Sequence, residues 1–345
     1  MRVLIDILHP AHVHFFRNFY AEMTEAGHDV CITARDKDRS VELLQAYNLP
    51  YQQLSVQRTG AGLAVELAQR TGRLLKVMGT FRPDVMTGIM GPSIAVAGAL
   101  RRVPSVVFYD TEFAVQTNRF VYPLAHSVCT PDCYQGRVPG RHVTYAGYHE
   151  LAYLHPNRFQ PDPARLASFG IDPDEPFSLV RFVSWQAVHD RSERALTLEQ
   201  KRNLVEVLQR SGRVLISSEA PLSGDLADLA VRGPVEQIHH LIAHAQAIVG
   251  ESATMSSEAA VLGVPAVYLA TTGRGYTDDE EARYGLVRHF TPERYDDAVA
   301  ALEEILAAPR ASWEAARAKL LAEKIDVTGW MVDYFESTFA ARRTG

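Results

Sequence analysis

The chain is 345 residues long, 47% hydrophobic and 22% charged, which suits a globular protein larger than one ordinary core. Its net charge of −6 argues against a general nucleic-acid binder, and no run of about 18 uncharged apolar residues offers a membrane span. Three cysteines, Cys31, Cys129 and Cys133, make neither a disulfide framework nor a metal set, so a cytoplasmic protein with no metal and no cofactor is expected.

Residues 2–8 read as an opening strand, too short an apolar core for a secretory signal. The loop His9-Pro10-Ala11-His12 leads into an apolar-faced helix that ends near Gly27. Residues 30–33 form the next strand, 41–47 a short helix and 64–80 a longer one. Strands at 84–86 and 105–109 flank a small-residue helix at 93–101. This alternation predicts a parallel sheet with helices on both faces, binding ligands beyond the C-terminal strand ends.

Pro156, Pro161, Pro163, Pro173 and Pro176 surround a short helical segment, which predicts an inter-domain linker at 157–176. A second series follows, with strands at 177–182, 214–217 and 247–249 and helices at 198–211 and 236–245. Small residues at 250–254 make a turn, 255–262 have helical spacing halted by Gly263 and Pro265, and 266–269 is a strand. The tail carries helical runs at 296–307, 312–323 and 330–342. The predicted class is α/β: two Rossmann-like, doubly wound domains, 1–156 and 177–325, facing a cleft. Residues 326–345 form a helix expected to pack back on the first domain.

The stretch 247–269 organises the second half. A helix opening at Ser256 would hold free N–H groups beyond the strand ends, a ready anion site. Glu258, in its first turn, could accept hydroxyl protons from a sugar. In the first half, His9-Pro-Ala-His-Val-His14 leaves the first strand and opens the first helix. A histidine there is a candidate general base or phosphate partner. Three close histidines raise a metal site, but the zinc-protease spacing is absent and no carboxylate or cysteine lies nearby in sequence. The plainer reading packs His14 under Phe15 and Phe16 and leaves only His12 exposed.

Asp110 and Glu112 follow the strand at 105–109 and are candidates for a base or a hydroxyl ligand. The competing reading is a solvated loop with a helix cap from Thr117 or Asn118. Arg181 and Ser184 leave a strand of the second half, where Arg181 suits either a diphosphate or a structural ion pair. Residues 273–281 read as a Gly-opened loop whose Asp278 and Asp279 hold sugar hydroxyls or form a solvated acidic face. Arg70, Arg73, Lys76 and Arg82 accompany Leu74, Leu75, Val77 and Phe81. That pattern suits either peripheral membrane contact or the solvated flank of a sheet-packed helix. Missing are a Walker phosphate loop, a G-x-G-x-x-G after the first strand and a G-x-S-x-G elbow.

Four segments, in chain order, resemble the two-Rossmann (GT-B) glycosyltransferases, especially the MurG type of peptidoglycan synthesis. Ala11-His12-Val13 is similar to that family's Gly-His-Val turn, with Gly27 at the matching distance. Phe81-Arg-Pro-Asp-Val85 is similar to its Phe-Lys-Pro-Asp-Val segment. Ala114-Val115 and Thr117-Asn118-Arg119 are similar to its Ala-Val…Thr-Asn-Lys segment. Ser257-Glu258-Ala-Ala…Gly263-Val-Pro265 is similar to its Ser-Glu-x-Ala-Ala-x-Gly-x-Pro. The opening Asp6-Ile-Leu-x-Pro-x-His-Val-His-Phe-Phe16 resembles more closely an uncharacterised prokaryotic family of glycosyltransferase-like proteins. The same segments resemble the non-hydrolysing UDP-N-acetylglucosamine 2-epimerases.

The resemblance implies metal-independent, inverting transfer from a nucleotide sugar, with a UDP-sugar as the first expectation. The alternatives are a nucleotide-sugar epimerase of the non-hydrolysing type and a non-catalytic nucleotide-sugar binding protein. The acceptor would be a sugar or lipid-linked hydroxyl, the latter placing the protein at the inner face of the membrane. The first domain would take the acceptor, near His14, Thr117 and Asn118, and the second the donor. Glu258 would bind the ribose, and Ser252, Thr254, Met255 and Ser256 the diphosphate with Arg181 or Ser184. His12 or Asp110 would be the base, with Glu112 nearby, and Asp278 and Asp279 would face the donor sugar. The chain departs from MurG where Arg181-Phe-Val-Ser184 replaces Gly-Gly-Ser and where Asp278-Asp279 replaces a glutamine pair. It departs from the epimerases where Gln116-Thr117 replaces an acidic pair. Fold carries over better than substrate does.

Overall fold

In the computed structural model, residues 1–58, 60, 62–183, 195–222 and 224–340 are described. The chain divides into two compact units, one of Met1–Arg158 with Ile325–Gly345 and one of Phe159–Lys324. In the first, strands β1 (Arg2–Ile7), β2 (Asp29–Asp36), β3 (Tyr51–Val56), β4 (Val85–Ile89), β5 (Ser105–Phe108), β6 (Ser127–Pro131) and β7 (His142–Tyr145) alternate with helices. The helices are α1 (Pro10–Glu25), α2 (Ser40–Ala46), α3 (Gly62–Phe81), α4 (Pro92–Arg101), α5 (Val115–Val121) and α6 (Leu151–Leu154). The sheet is parallel, in the order β3-β2-β1-β4-β5-β6-β7. Chain order therefore reverses between β1 and β4, where the crevice of such a sheet opens.

Alternation along the strands sends one set of side chains to each face. Leu4, Met86 and Val107 meet Leu74, Val77 and Met78 of α3 and Ile94 and Ala95 of α4 on one side. On the other, Phe15 of α1 packs 5.1 Å from Phe108, and Phe19 packs 4.9 Å from Phe335 of the chain's last helix, Val327–Phe339. That helix begins at Val327, before the expected residue 330, because Asp326 caps it by accepting from the Gly329 N–H at 3.3 Å. The Arg158 fork binds Asp326 at 2.8 Å and also pairs with Glu22 on α1, which fastens the return of the chain.

Of the basic residues at 70–82, Arg73, Lys76 and Arg82 are exposed. Leu74 and Val77 are core, and Arg70 is buried. The Arg70 guanidinium pairs with Asp6 on β1, which also accepts from Thr33 at 2.6 Å, and donates to Ser55 at 3.1 Å. Ser55 passes the chain on to Glu66, held in turn by Arg35 at 2.6 Å. A buried charge needs such partners, so the side chain turns inward where sequence spacing alone reads a solvated cation.

The second unit holds β8 (Phe177–Phe182), α7 (Leu198–Gln209), β9 (Arg213–Ser218), α8 (Ile238–His244), β10 (Ile248–Gly250) and α9 (Ala253–Leu262). It continues with β11 (Ala266–Leu269), α10 (Gly275–Tyr284), β12 (Val287–Phe290), α11 (Tyr295–Ala307) and α12 (Arg310–Glu323), which makes the last helix α13. Its parallel sheet runs β12-β11-β10-β8-β9. Leu204 and Leu208 of α7 and Leu302 and Ile305 of α11 share a core with Val180, Val249 and Val267. Most of the expected linker belongs to this unit. A 3-10 helix at Pro163–Phe169 packs on α8, and the Asp162 N–H donates to His240 at 3.1 Å.

Arg70→Met should destabilise the first unit by roughly 3–5 kcal/mol, because the Asp6 carboxylate is left buried without its cation. The double variant Asp6→Asn/Arg70→Met should recover part of that loss. Urea unfolding measures both, and an Arg70→Met loss below about 1 kcal/mol would contradict the pair's role.

Candidate functional site

Two corners carry chemistry, each at the C-terminal strand ends of its own unit. In the second unit, β10 ends at Gly250, where an added Cβ would lie 2.1 Å from the Arg181 carbonyl oxygen. Glycine is what lets β10 approach β8 this closely. The buried carboxylate of Glu251 follows, accepting from the Val183 N–H at 3.1 Å and the Leu196 N–H at 2.9 Å. Ser252 then caps α9, its Oγ accepting from the Met255 N–H at 3.3 Å.

This cap moves the helix start from the expected Ser256 to Ala253. Ser252 and Thr254 are half-buried at the helix mouth, and the first N–H groups of α9 have no intrahelical acceptor. Met255 and Ser256 are buried, with Ser256 Oγ donating to the Ser252 carbonyl at 2.9 Å. Glu258 moves to the second turn and is buried, 2.9 Å from His239 Nε2. His239, on α8, has no sequence signal beyond a position on an apolar helix.

Arg181 realises its ion-pair reading, donating to Ser217 Oγ and to Glu219 Oε1, each at 2.9 Å. Ser184 lies outside the described residues. The loop expected at 273–281 is largely α10, whose helical start at Gly275 the acidic run disguises. Asp279 sits 3.2 Å from the buried Lys324 ammonium and 3.9 Å from Arg283, so its charge is spent within the fold. Asp278, in the first turn, lies where a Cβ on Gly273 would meet its Oδ1 at 2.3 Å.

In the first unit, His9 caps α1 by accepting from the Ala11 N–H at 3.3 Å, with Pro10 opening the helix. His12 is buried rather than exposed, and its Nδ1 accepts from the Leu8 N–H at 3.2 Å. The proton of the neutral ring is therefore on Nε2. Burial, then the charge of His9, holds His12 well below the usual histidine range, although Asp110 opposes them. His12 is thus a neutral hydrogen-bond donor at pH 7, not a base with a free lone pair.

Asp110 lies 3.0 Å from His149 Nδ1 and accepts from Thr111 Oγ1 at 3.0 Å. Burial alone would raise its pKa, but His149 and Thr111 together hold it down at about 2. Sequence spacing missed His149, which the 142–145 strand brings back beside β5. Its ring packs 4.5 Å from Phe15 and stacks on Tyr145, and its Nε2 is buried with no partner among the described residues.

The remaining acceptor-side candidates support the fold. His14 is buried, stacked on Tyr153 at 5.4 Å with Nδ1 3.3 Å from the Tyr47 hydroxyl. Asn118 is buried and donates to the Glu112 carbonyl at 3.3 Å, while Glu112 Oε1 accepts from the Gln135 N–H at 3.2 Å. Thr117 is half-buried on α5, and neither it nor Asn118 caps that helix. Among the described residues no cluster of three or more His, Cys, Asp or Glu could hold a metal, and no helix is long and apolar enough to cross a membrane.

Residues 1–155 match the family described as "Protein of unknown function (DUF354)". No curated protein matches the chain significantly in sequence. In fold the chain is similar to the UDP-GlcNAc 2-epimerase of Neisseria meningitidis bound to UDP-GlcNAc, at 12% identity over 98% of this chain and 100% of that one, with a TM-score of 0.71. It is similar to MurG of Acinetobacter baumannii at 16% identity over 98% and 100%, TM-score 0.59. It is also similar to the S. aureus MnaA–UDP co-structure at 11% identity over 97% and 96%, TM-score 0.70. The fold is of GT-B type, and the match over residues 1–155 bears out the resemblance to an uncharacterised family.

The lowered His12 pKa has a stability consequence. Below about pH 6.5 the unfolded chain takes up a proton at His12 that the folded chain refuses, so stability falls on acidification. His12→Asn should flatten the pH dependence of the urea midpoint between about pH 7 and 5.5. An unchanged slope would show that His12 is not held neutral.

Proposed function

We propose that the protein transfers a sugar from a nucleotide diphosphate sugar, a UDP-sugar first among them, to an acceptor hydroxyl. The observation that carries this reading is Glu258. It is a buried carboxylate on the second turn of a helix whose N-terminus lies at a strand end of a GT-B fold. Glu258 accepts from the ribose hydroxyls. The diphosphate lies against the unsatisfied N–H groups at the start of α9, with Ser252 and Thr254 beside it. Those fixed dipoles stabilise the charge that develops on the leaving diphosphate, so no divalent metal is needed.

In transfer, the acceptor oxygen forms a bond to the anomeric carbon as the bond to the diphosphate oxygen breaks. The electron pair leaves with the diphosphate. Asp110, kept ionised by His149 and Thr111, takes the acceptor proton, and the His12 Nε2–H donates to a substrate oxygen. A carboxylate with a pKa of about 2 is a weak base, so proton transfer comes late, after the leaving group has begun to depart. Inversion at the anomeric carbon follows from a single displacement. The acceptor is a sugar or lipid-linked hydroxyl, the latter reached by peripheral contact with a membrane surface.

A second reading is epimerisation of the donor sugar, because the same fold serves UDP-GlcNAc 2-epimerases. Incubating the protein with UDP-N-acetylglucosamine alone separates the two. Conversion to a second UDP-sugar without acceptor establishes the epimerase. For the donor site, thermal unfolding with UDP, UDP-N-acetylglucosamine, GDP-mannose and dTDP-glucose should show an upward shift for one nucleotide class. Glu258→Ala should weaken that ligand by about tenfold or more. No shift with any nucleotide sugar would refute the reading.

A further inference from the structure

We infer that Arg70 is a positioning residue for His12: it holds the peptide between Ile7 and Leu8, and that peptide fixes the tautomer in which His12 presents its Nε2–H. The lock is a property of the fold, whereas its use in transfer rests on the reading of His12 as a donor to substrate.

Ile7 and Leu8 share one planar peptide group, whose carbonyl and N–H point in opposite directions. The Arg70 NH2 nitrogen donates to the Ile7 carbonyl at 3.4 Å, and the Leu8 N–H donates to His12 Nδ1 at 3.2 Å. The two bonds therefore meet back to back across a single rigid unit at the end of β1. Arg70 comes from α3, which packs on one face of the sheet, and His12 from α1 on the other. The guanidinium is itself fixed. The same nitrogen pairs with Asp6, NH1 donates to Ser55 at 3.1 Å, and the side chain is 3% exposed.

A cation on the carbonyl polarises the amide and strengthens the N–H on its far side. It also resists the rotation of the peptide plane that would carry the Leu8 N–H away from the ring. An N–H aimed at Nδ1 needs a lone pair there, so the ring proton stays on Nε2. In the other tautomer two donors would face each other, which a buried ring meets at full cost. The charges of His9, His149 and Lys37 oppose protonation of His12 and that of Asp110 favours it, but the choice between the two neutral tautomers is made at Nδ1. Arg70 thus has a task that ion pairing with Asp6 alone does not require.

The test is nitrogen NMR of the full chain carrying isotope-labelled histidine, with His12→Asn identifying the His12 signals. The Nδ1 and Nε2 shifts of a neutral imidazole report its tautomer directly. In the wild type the Nε2–H form should predominate. Arg70→Met should raise the share of the Nδ1–H form by about threefold or more, the equivalent of one lost hydrogen bond. Ser55→Ala removes another bond of the same guanidinium and leaves its NH2 in place, so it should keep the wild-type tautomer. If the Arg70→Met chain does not fold, Asp6→Asn/Arg70→Met gives the same reading without a stranded carboxylate. A chain lacking Arg70 that melts lower with its His12 tautomer unchanged contains a purely structural arginine and overturns the inference, as does an equal shift in Ser55→Ala. A changed tautomer in a protein whose wild type binds no nucleotide sugar refutes the nucleotide reading and leaves the lock standing.

Discussion

A carboxylate removed from water must be met by a donor, and the C-terminal strand ends of both units are built around that constraint. Asp6 has Arg70 and Thr33, Asp110 has His149 and Thr111, and Glu251 has the Val183 and Leu196 amides. Glu258 has His239, and Glu280 has Ser257 at 2.6 Å. Apart from Thr111, which neighbours Asp110, each partner comes from a different part of the chain, so within each unit the acids tie strand ends, helix starts and loops together. The interior need not be rich in ion pairs for this to matter, because each missing donor strands a charge.

The consequence for chemistry is a division of labour among acids that look alike in sequence. Asp6 and Asp279 are consumed by buried cations and hold the fold. Asp110 keeps an accessible edge, 21% of its side chain exposed, while its other contacts keep it ionised. Glu258, on the second turn of α9, is 11% exposed in its side chain. His12, with one nitrogen tied to the Leu8 amide, is left to donate. Acceptor and donor are thus assigned by the hydrogen bonds behind each group and not by residue type.

The alternation of strands and helices was legible because parallel sheets write long apolar runs and amphipathic helices, and β8 and β11 fall on the expected residues. The short strands β3, β7 and β12 were not, since four to six residues on a partly exposed edge leave little periodic signal, and the five buried residues of β6 make too short a run to stand out. The start of α9 was misplaced because Ser252 and Ser256 are both plausible caps, and the three-dimensional position of β10 decides between them. Glu258 and Asp110 were singled out from their place after strands, and their roles belong to the proposal. His149 and His239 were not, because each acts across a long stretch of chain, and spacing carries no information about such a partner. Arg70 shows the same limit from the other side, a cation whose acid lies on another strand.

The nucleotide assignment depends on the corner where β10 passes into α9. Hydrogen–deuterium exchange of the full chain with and without saturating UDP tests it most directly, because the first amides of α9 lack intrahelical acceptors and are the proposed phosphate ligands. Slowed exchange across residues 250–258 is the predicted result. Unchanged exchange there, with protection confined to other segments or absent, would contradict the assignment.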